Sequence, residues 1–152
     1  MSVDDDIVFL ERVPTLALLG RDALRILAIS ADSRSVSPGW VLFREGDLAD
    51  CGYVVQDGSF ELTGAGNGAA VTVGPATLLG ELALITETTR PVTATASERA
   101  SVLRIPRTLF LRMLDGFPDA AERLRAMLTA RVEEAARDIG AVRQRLDTVT
   151  GR

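Results

Sequence analysis

The chain contains no histidine and no lysine, and only one cysteine, Cys51. Without histidine it lacks the ordinary imidazole base of acid–base catalysis and the nitrogen ligand of a Cys/His zinc site, so no metal is expected. A single cysteine excludes an intrachain disulfide. No apolar run reaches the roughly eighteen residues that a membrane-spanning helix needs. The N-terminus opens Ser2-Val3-Asp4-Asp5-Asp6 rather than with a basic stretch leading into an apolar one, so the chain reads as cytoplasmic with no membrane contact. No G-x-S-x-G or comparable nucleophile motif is present, so an enzyme is the least supported class and no catalytic residue is assigned. All seventeen basic residues are arginine, a bias assigned to genome base composition before function. The formal net charge of −4 argues against a surface built throughout to neutralise a nucleic-acid backbone, and no direct DNA binding is expected.

What is present suits one domain with a real core, since 152 residues carry 47% hydrophobic and 25% charged side chains. Val8 to Arg12 and Arg21 to Ala31 place apolar residues at helical spacing, with Leu24, Leu27 and Ala28 on one stripe and Pro14 between the two segments. Asp4, Asp5 and Asp6 read as a solvated lead, so the helical N-terminus is set at 7–31. From 33 to 105 the texture changes to short β-type runs punctuated by glycine: Trp40 to Phe43, Tyr53 to Gln56, Phe60 to Thr63, Ala70 to Val73 and Val102 to Ile105. These predict a small antiparallel barrel or sandwich. Gly64-Ala65-Gly66-Asn67-Gly68 reads as a hairpin tip, because Asn-Gly supplies the positive φ values of tight turns. Trp40 is expected to be a core or strand-face aromatic, and Cys51 a packed or solvated thiol without a basic neighbour in sequence.

Helices occupy 106–149. Pro106 suits the first turn of one that stops at Gly116, and Pro118 begins another. Along the latter, Leu128, Val132, Ala135, Ile139, Val142, Leu146 and Val149 recur at alternating steps of four and three. That narrow heptad seam favours a partner helix over a broad stripe folded back on the same chain, and predicts a parallel homodimer.

The most chemically specific stretch is Gly80-Glu81-Leu82-Ala83 followed by Arg90. The glycine permits close backbone approach, the peptide N–H groups after it can point at an anion, and Arg90 offers a planar fork of donors for phosphate oxygens. Glu81 accepts only when ionised and would repel a phosphate, so its natural partner is a sugar hydroxyl. Thr93 is a further phosphate donor or simply a strand residue, and a structural ion pair between Glu81 and Arg90 is the plain alternative.

These residues, running from Gly80-Glu81-Leu82-Ala83-Leu84-Ile85 to Arg90-Pro91-Val92-Thr93-Ala94, resemble the phosphate-binding cassette of cyclic nucleotide-binding domains. Ser37 to Asp47 is similar to that family's early strand and turn, and Tyr53 to Phe60 to its next hairpin. The resemblance extends to nearly the whole chain, and 1–152 is taken as a single domain of this kind. It implies a mainly β fold with flanking α: a β-roll or jelly-roll (double-stranded β-helix) with N-terminal helices and a long C-terminal helix. It also implies a cyclic AMP or cyclic GMP ligand, with Gly80, Glu81, Leu82, Ala83, Arg90, Pro91 and Thr93 around it and a signal carried by the last helix.

Two departures bear on the ligand. Pro91 stands where the family has alanine, serine or threonine, whose backbone N–H contributes to the phosphate, and proline has none. On the long helix, activator-type proteins present a threonine and a serine to the adenine, whereas this sequence has Ala135 and Ala136. The base is therefore left open. The last residues, Leu146 to Arg152, resemble the hinge that leads those regulators into a helix-turn-helix domain, so this chain alone is not expected to read DNA sequence. Two alternatives to a nucleotide sensor follow: a degenerate, nucleotide-independent dimerisation module, or the sensor half of a transcription regulator acting with a partner.

Overall fold

The structure is a computed structural model that describes residues 2–64 and 69–130. Three helices open the chain: α1 (Val3–Leu10), α2 (Pro14–Ala17) and α3 (Arg21–Ser30). The first starts earlier than position 7 because Ser2 caps it. The Ser2 hydroxyl accepts from the Asp5 N–H, and the Asp5 carboxylate reaches back to the Ser2 N–H. Asp4, Asp5 and Asp6 are solvent-facing as expected, yet they already form the first helical turn, where their charge complements the helix dipole. Pro14 does more than separate two helices, since it opens α2 from the N-terminal turn, where its missing N–H costs nothing.

Ten strands follow among the described residues: β1 (Asp32–Val36), β2 (Val41–Phe43), β3 (Leu48–Ala49), β4 (Cys51–Asp57), β5 (Phe60–Thr63), β6 (Val71–Val73), β7 (Leu78–Leu79), β8 (Thr88–Thr89), β9 (Thr93–Ala96) and β10 (Ala100–Pro106). They form two four-stranded antiparallel sheets, ordered β1-β10-β4-β7 and β2-β9-β5-β6, and a two-stranded β3-β8 pair. This is the expected β-roll. Of the anticipated hairpin tip, 65–68 lie outside the described residues. Trp40 departs from expectation. It sits after the Pro38-Gly39 turn, closed by Trp40 N–H donating to the Ser37 carbonyl with Gly39 at φ +84°, and at 58% exposed lies neither in the core nor on a strand.

The chain then enters α4 (Arg107–Gly116), with Pro106 as its N-cap and final β10 residue, and a further helix, α5, occupies 118–130. Leu128 is partly buried against the chain's own helical core. The other seam positions, Val132, Ala135, Ile139, Val142, Leu146 and Val149, and Ala136 with them, lie outside the described residues.

Alternation along β4 and β10 divides the buried residues into two cores. Val54, Leu103 and Ile105 face outward against Ile7, Leu10, Leu16, Leu24, Leu27 and Phe110 of the helices. Cys51, Tyr53, Val55, Ala100 and Val102 face inward and meet Phe43, Phe60, Ala94 and Ala96 of the opposite sheet. The second core is the inside of the roll.

Candidate functional site

The site is built where β7 leaves the first sheet. Gly80 follows with φ +82°, a conformation that glycine adopts freely. The Ala83 N–H then donates to the Gly80 carbonyl at 3.1 Å, opening a 3-10 turn over Leu82–Leu84. Leu84 is seated on β4 because Gly52 leaves it room: a Cβ at Gly52 would lie 3.0 Å from Leu84 Cδ2. The turn is thereby fixed to the helical core, and β8 carries the chain on to Arg90.

Arg90 is held by its backbone to the β2–β3 turn. Its N–H donates to the Asp47 carbonyl and its carbonyl accepts from the Gly46 N–H, each at 2.8 Å. Its side chain turns inward, 4% exposed, and occupies the roll. The guanidinium carbon lies 4.4 Å from the Phe43 ring centroid and 5.5 Å from that of Tyr53, and these two rings stack at 6.0 Å. Nη2 donates to Cys51 Sγ at 3.3 Å. Nη1 is buried with no hydrogen-bond partner, and among the described residues Arg90 forms no ion pair. The same nitrogen presses on the backbone of Gly80, where a Cβ would meet it at 2.3 Å. Gly80 is therefore required twice, for its φ and for the space Arg90 fills.

The structure thus brings Gly80 and Arg90 together as the sequence spacing predicts, and distributes the rest around them. The Glu81 carboxylate accepts from the Thr15 hydroxyl of α2, itself buried, so that a helix 66 residues away aims it. Ala83 is buried and its N–H already serves the 3-10 turn, while the Leu82 side chain is exposed. Pro91 is exposed in the bend before β9, and Thr93 Oγ1 accepts from the Glu45 N–H at 2.9 Å. Cys51 does have a basic neighbour after all, since folding carries Arg90 across 39 residues to its thiol.

Sequence reasoning missed Thr15 and the Phe43–Tyr53 pair. The period-2 alternation of Cys51, Tyr53 and Val55 could have put Tyr53 inside the roll. Burial pushes the Tyr53 hydroxyl above its ordinary pKa, the neighbouring Cys51 adds to this, and Arg104 and Arg90 pull it back. At neutral pH the phenol is uncharged and does not neutralise Arg90.

The cassette is also tied to the helices. Arg107, the first residue of α4, donates through Nη1 to the carbonyls of Ala49 at 3.0 Å, Ala83 at 3.3 Å and Thr86 at 2.9 Å. On α5, Arg123 donates to the carbonyls of Leu18 at 2.6 Å and Leu19 at 3.3 Å, joining that helix to the end of α2.

A buried guanidinium with a spare donor, backed by a glycine and a tight turn, is the arrangement expected for an oxyanion ligand. The family model of the cyclic nucleotide-binding domain matches residues 33–117, the roll and α4 together. The chain belongs to the cyclic nucleotide-binding domain family. It is 32% identical over 105 residues to the cAMP-dependent protein kinase regulatory subunit of Schizosaccharomyces pombe, an alignment covering 69% of this chain. The chain spans only 26% of that subunit's length. Among solved structures, a cyclic nucleotide-binding-like protein from Brucella abortus is 41% identical with a TM-score of 0.65, covering 74% of this chain and 99% of the other. The N-terminal domain of a transcriptional regulator from Streptomyces coelicolor is 28% identical with a TM-score of 0.76, covering 86% and 94%. Among the described residues no helix is long and apolar enough to cross a membrane.

Proposed function

We propose that this domain is a cyclic nucleotide sensor, binding cyclic AMP or cyclic GMP and reporting occupancy through its C-terminal helices. One observation carries the reading. Arg90 is buried, unpaired by any carboxylate among the described residues, and has a free Nη1 against Gly80. A desolvated cation with an unused donor is costly, and an anionic ligand that accepts from it offsets that cost.

In this reading the Arg90 side chain moves off Gly80 and holds the cyclic phosphate together with the Gly80 to Ala83 backbone, in which the Ala83 N–H is already given to the Gly80 carbonyl. The Glu81 carboxylate, aimed by Thr15, accepts from the ribose 2′-hydroxyl. Thr93 and the bend at Pro91 border the phosphate. The donors fit a singly charged cyclic phosphate, because one guanidinium and a short run of peptide N–H groups match its exocyclic oxygens. Pro91 supplies no N–H, which weakens binding relative to a cassette with alanine there.

Signalling needs a difference in ligand affinity between two arrangements of the helices. The Arg107 bonds to Ala83 and Thr86 couple any inward movement of the cassette to the start of α4. The Arg123 bonds to Leu18 and Leu19 are among those that a displacement of α5 would break. Homodimerisation through Leu128 to Val149 belongs to the same proposal, as does action without direct DNA contact by this domain.

The test is thermal unfolding of the purified chain with cyclic AMP, cyclic GMP and linear AMP. At a hundred times the dissociation constant, binding to the native state alone contributes roughly 2.7 kcal/mol, a midpoint shift of several degrees at this size. A shift with a cyclic nucleotide and none with linear AMP is expected, and Arg90→Ala should abolish it while the protein stays folded. A native protein indifferent to millimolar cyclic nucleotide would instead favour the nucleotide-independent dimerisation module.

A further inference from the structure

The strands β1 and β2 are consecutive in the chain, yet each forms the outer edge of a different sheet. Residues of both edges line an open cavity of about 520 Å³, within the range of small-molecule sites of roughly 300–1,000 Å³. Its wall includes Arg34, Val36, Ser37, Trp40, Leu42 and Tyr53.

The chemistry of this wall is specific. The pairing of β1 with β10 sets Arg34 opposite Val102 and Val36 opposite Ala100, two residues of the roll's inner core, so Arg34 shares the inward face. Arg104 lies on the same face beside Tyr53, but it has Asp50 at 3.6 Å and Asp32 as its cross-strand neighbour. Arg34 forms no ion pair among the described residues, which makes it the uncompensated positive charge of the cavity. Trp40 offers a largely uncovered indole at the rim, with Val36 and Leu42 as apolar walls. An aromatic platform, an apolar slot and one free guanidinium select a flat ring bearing one negative group.

We propose that the open edge between β1 and β2 is a second ligand site, which takes a planar aromatic compound carrying a single acidic group, carboxylate or phosphate. It is separate from the cassette. The Tyr53 ring borders the cavity and also stands 5.5 Å from the Arg90 guanidinium, so occupancy reaches the cassette through that ring. The proposal holds whether or not a cyclic nucleotide binds at Arg90.

Trp40 is the only tryptophan of the chain, so its emission reports on this site alone. The full chain is titrated with 4-nitrobenzoate and 4-nitrophenyl phosphate, which quench indole emission on contact, and with neutral 4-nitrobenzyl alcohol, after correction for absorption. Saturable quenching by an anionic probe is expected, with the tighter of the two naming the acidic group. Arg34→Gln should weaken it by about tenfold or more, the usual worth of a charge-assisted hydrogen bond, and leave the thermal midpoint unchanged because Arg34 is exposed. Quenching that never saturates, equal affinity for the neutral alcohol, or an unaltered Arg34→Gln titration would overturn the proposal. Displacement of the probe by excess cyclic AMP together with an unaltered Arg34→Gln titration would place the probe at the cassette and overturn it too.

Discussion

The two cores on either face of the β4–β10 sheet are built to different ends. The outer one joins aliphatic residues of the helices to Val54, Leu103 and Ile105, with Phe110 wholly buried among them. The inner one is smaller and encloses a guanidinium beside a stacked pair of aromatic rings and a thiol. Apolar packing is favourable without further condition, whereas a buried cation is favourable only when something accepts from it. One sheet therefore carries stability on one face and ligand readiness on the other.

The sharpest way to break this division is to cut the outer core. Phe110→Ala should cost about 3–5 kcal/mol, the range for truncating a fully buried phenylalanine. Chemical denaturation measures the loss, and nucleotide affinity of the molecules that stay folded should be little changed. A comparable loss of affinity at low denaturant would show that the two faces are not separable.

A smaller effect is expected at the rim of the inner face. The backbone around Pro91 is pinned, because Arg90 bonds to Gly46 and Asp47. Pro91→Ala thus restores an N–H without releasing the loop. Cyclic nucleotide affinity should rise roughly tenfold to a hundredfold, as one charge-assisted hydrogen bond of about 1.5–3 kcal/mol is regained. Stability without ligand should move by no more than about 1 kcal/mol, the usual entropic worth of a proline. Titration calorimetry on both proteins decides the matter; weaker binding in Pro91→Ala would mean that the ring's fixed φ matters more than the missing donor.

The legibility of the chain follows the same division. Strand β5 is readable to the residue, because Phe60 to Thr63 lies between Gly58-Ser59 and Gly64. The pairs β3, β7 and β8 have two residues each, too few to show any period, and they exist only because neighbours supply their hydrogen bonds. A helix start at position 7 overlooks that three solvent-facing aspartates also make a first turn once Ser2 caps it. Gly80 and Arg90 were legible as a local motif. Cys51 and Thr15 were not, since nothing local links a residue to a partner 39 or 66 positions away. The core or strand-face placement of Trp40 fails because the residue closes the Pro38-Gly39 turn before β2 begins.

The finest test weighs the inner core against itself. With no ligand present, Arg90 has a desolvated donor with no partner, a loss of about 1–3 kcal/mol or more for a charged group, set against cation–π attraction of about 2 kcal/mol from Phe43 and Tyr53. Methionine is of similar length, carries no donor, and gains sulfur–aromatic contacts of about 0.3–1.5 kcal/mol from the same two rings. Arg90→Met should therefore stabilise the ligand-free protein by about 1 kcal/mol, in the direction seen when buried ionic groups are replaced by apolar ones. The same variant should lose its response to cyclic nucleotide entirely. Denaturant midpoints with and without ligand measure both effects, and a clear fall in ligand-free stability would mean that the rings and the Cys51 thiol satisfy the guanidinium without an anion.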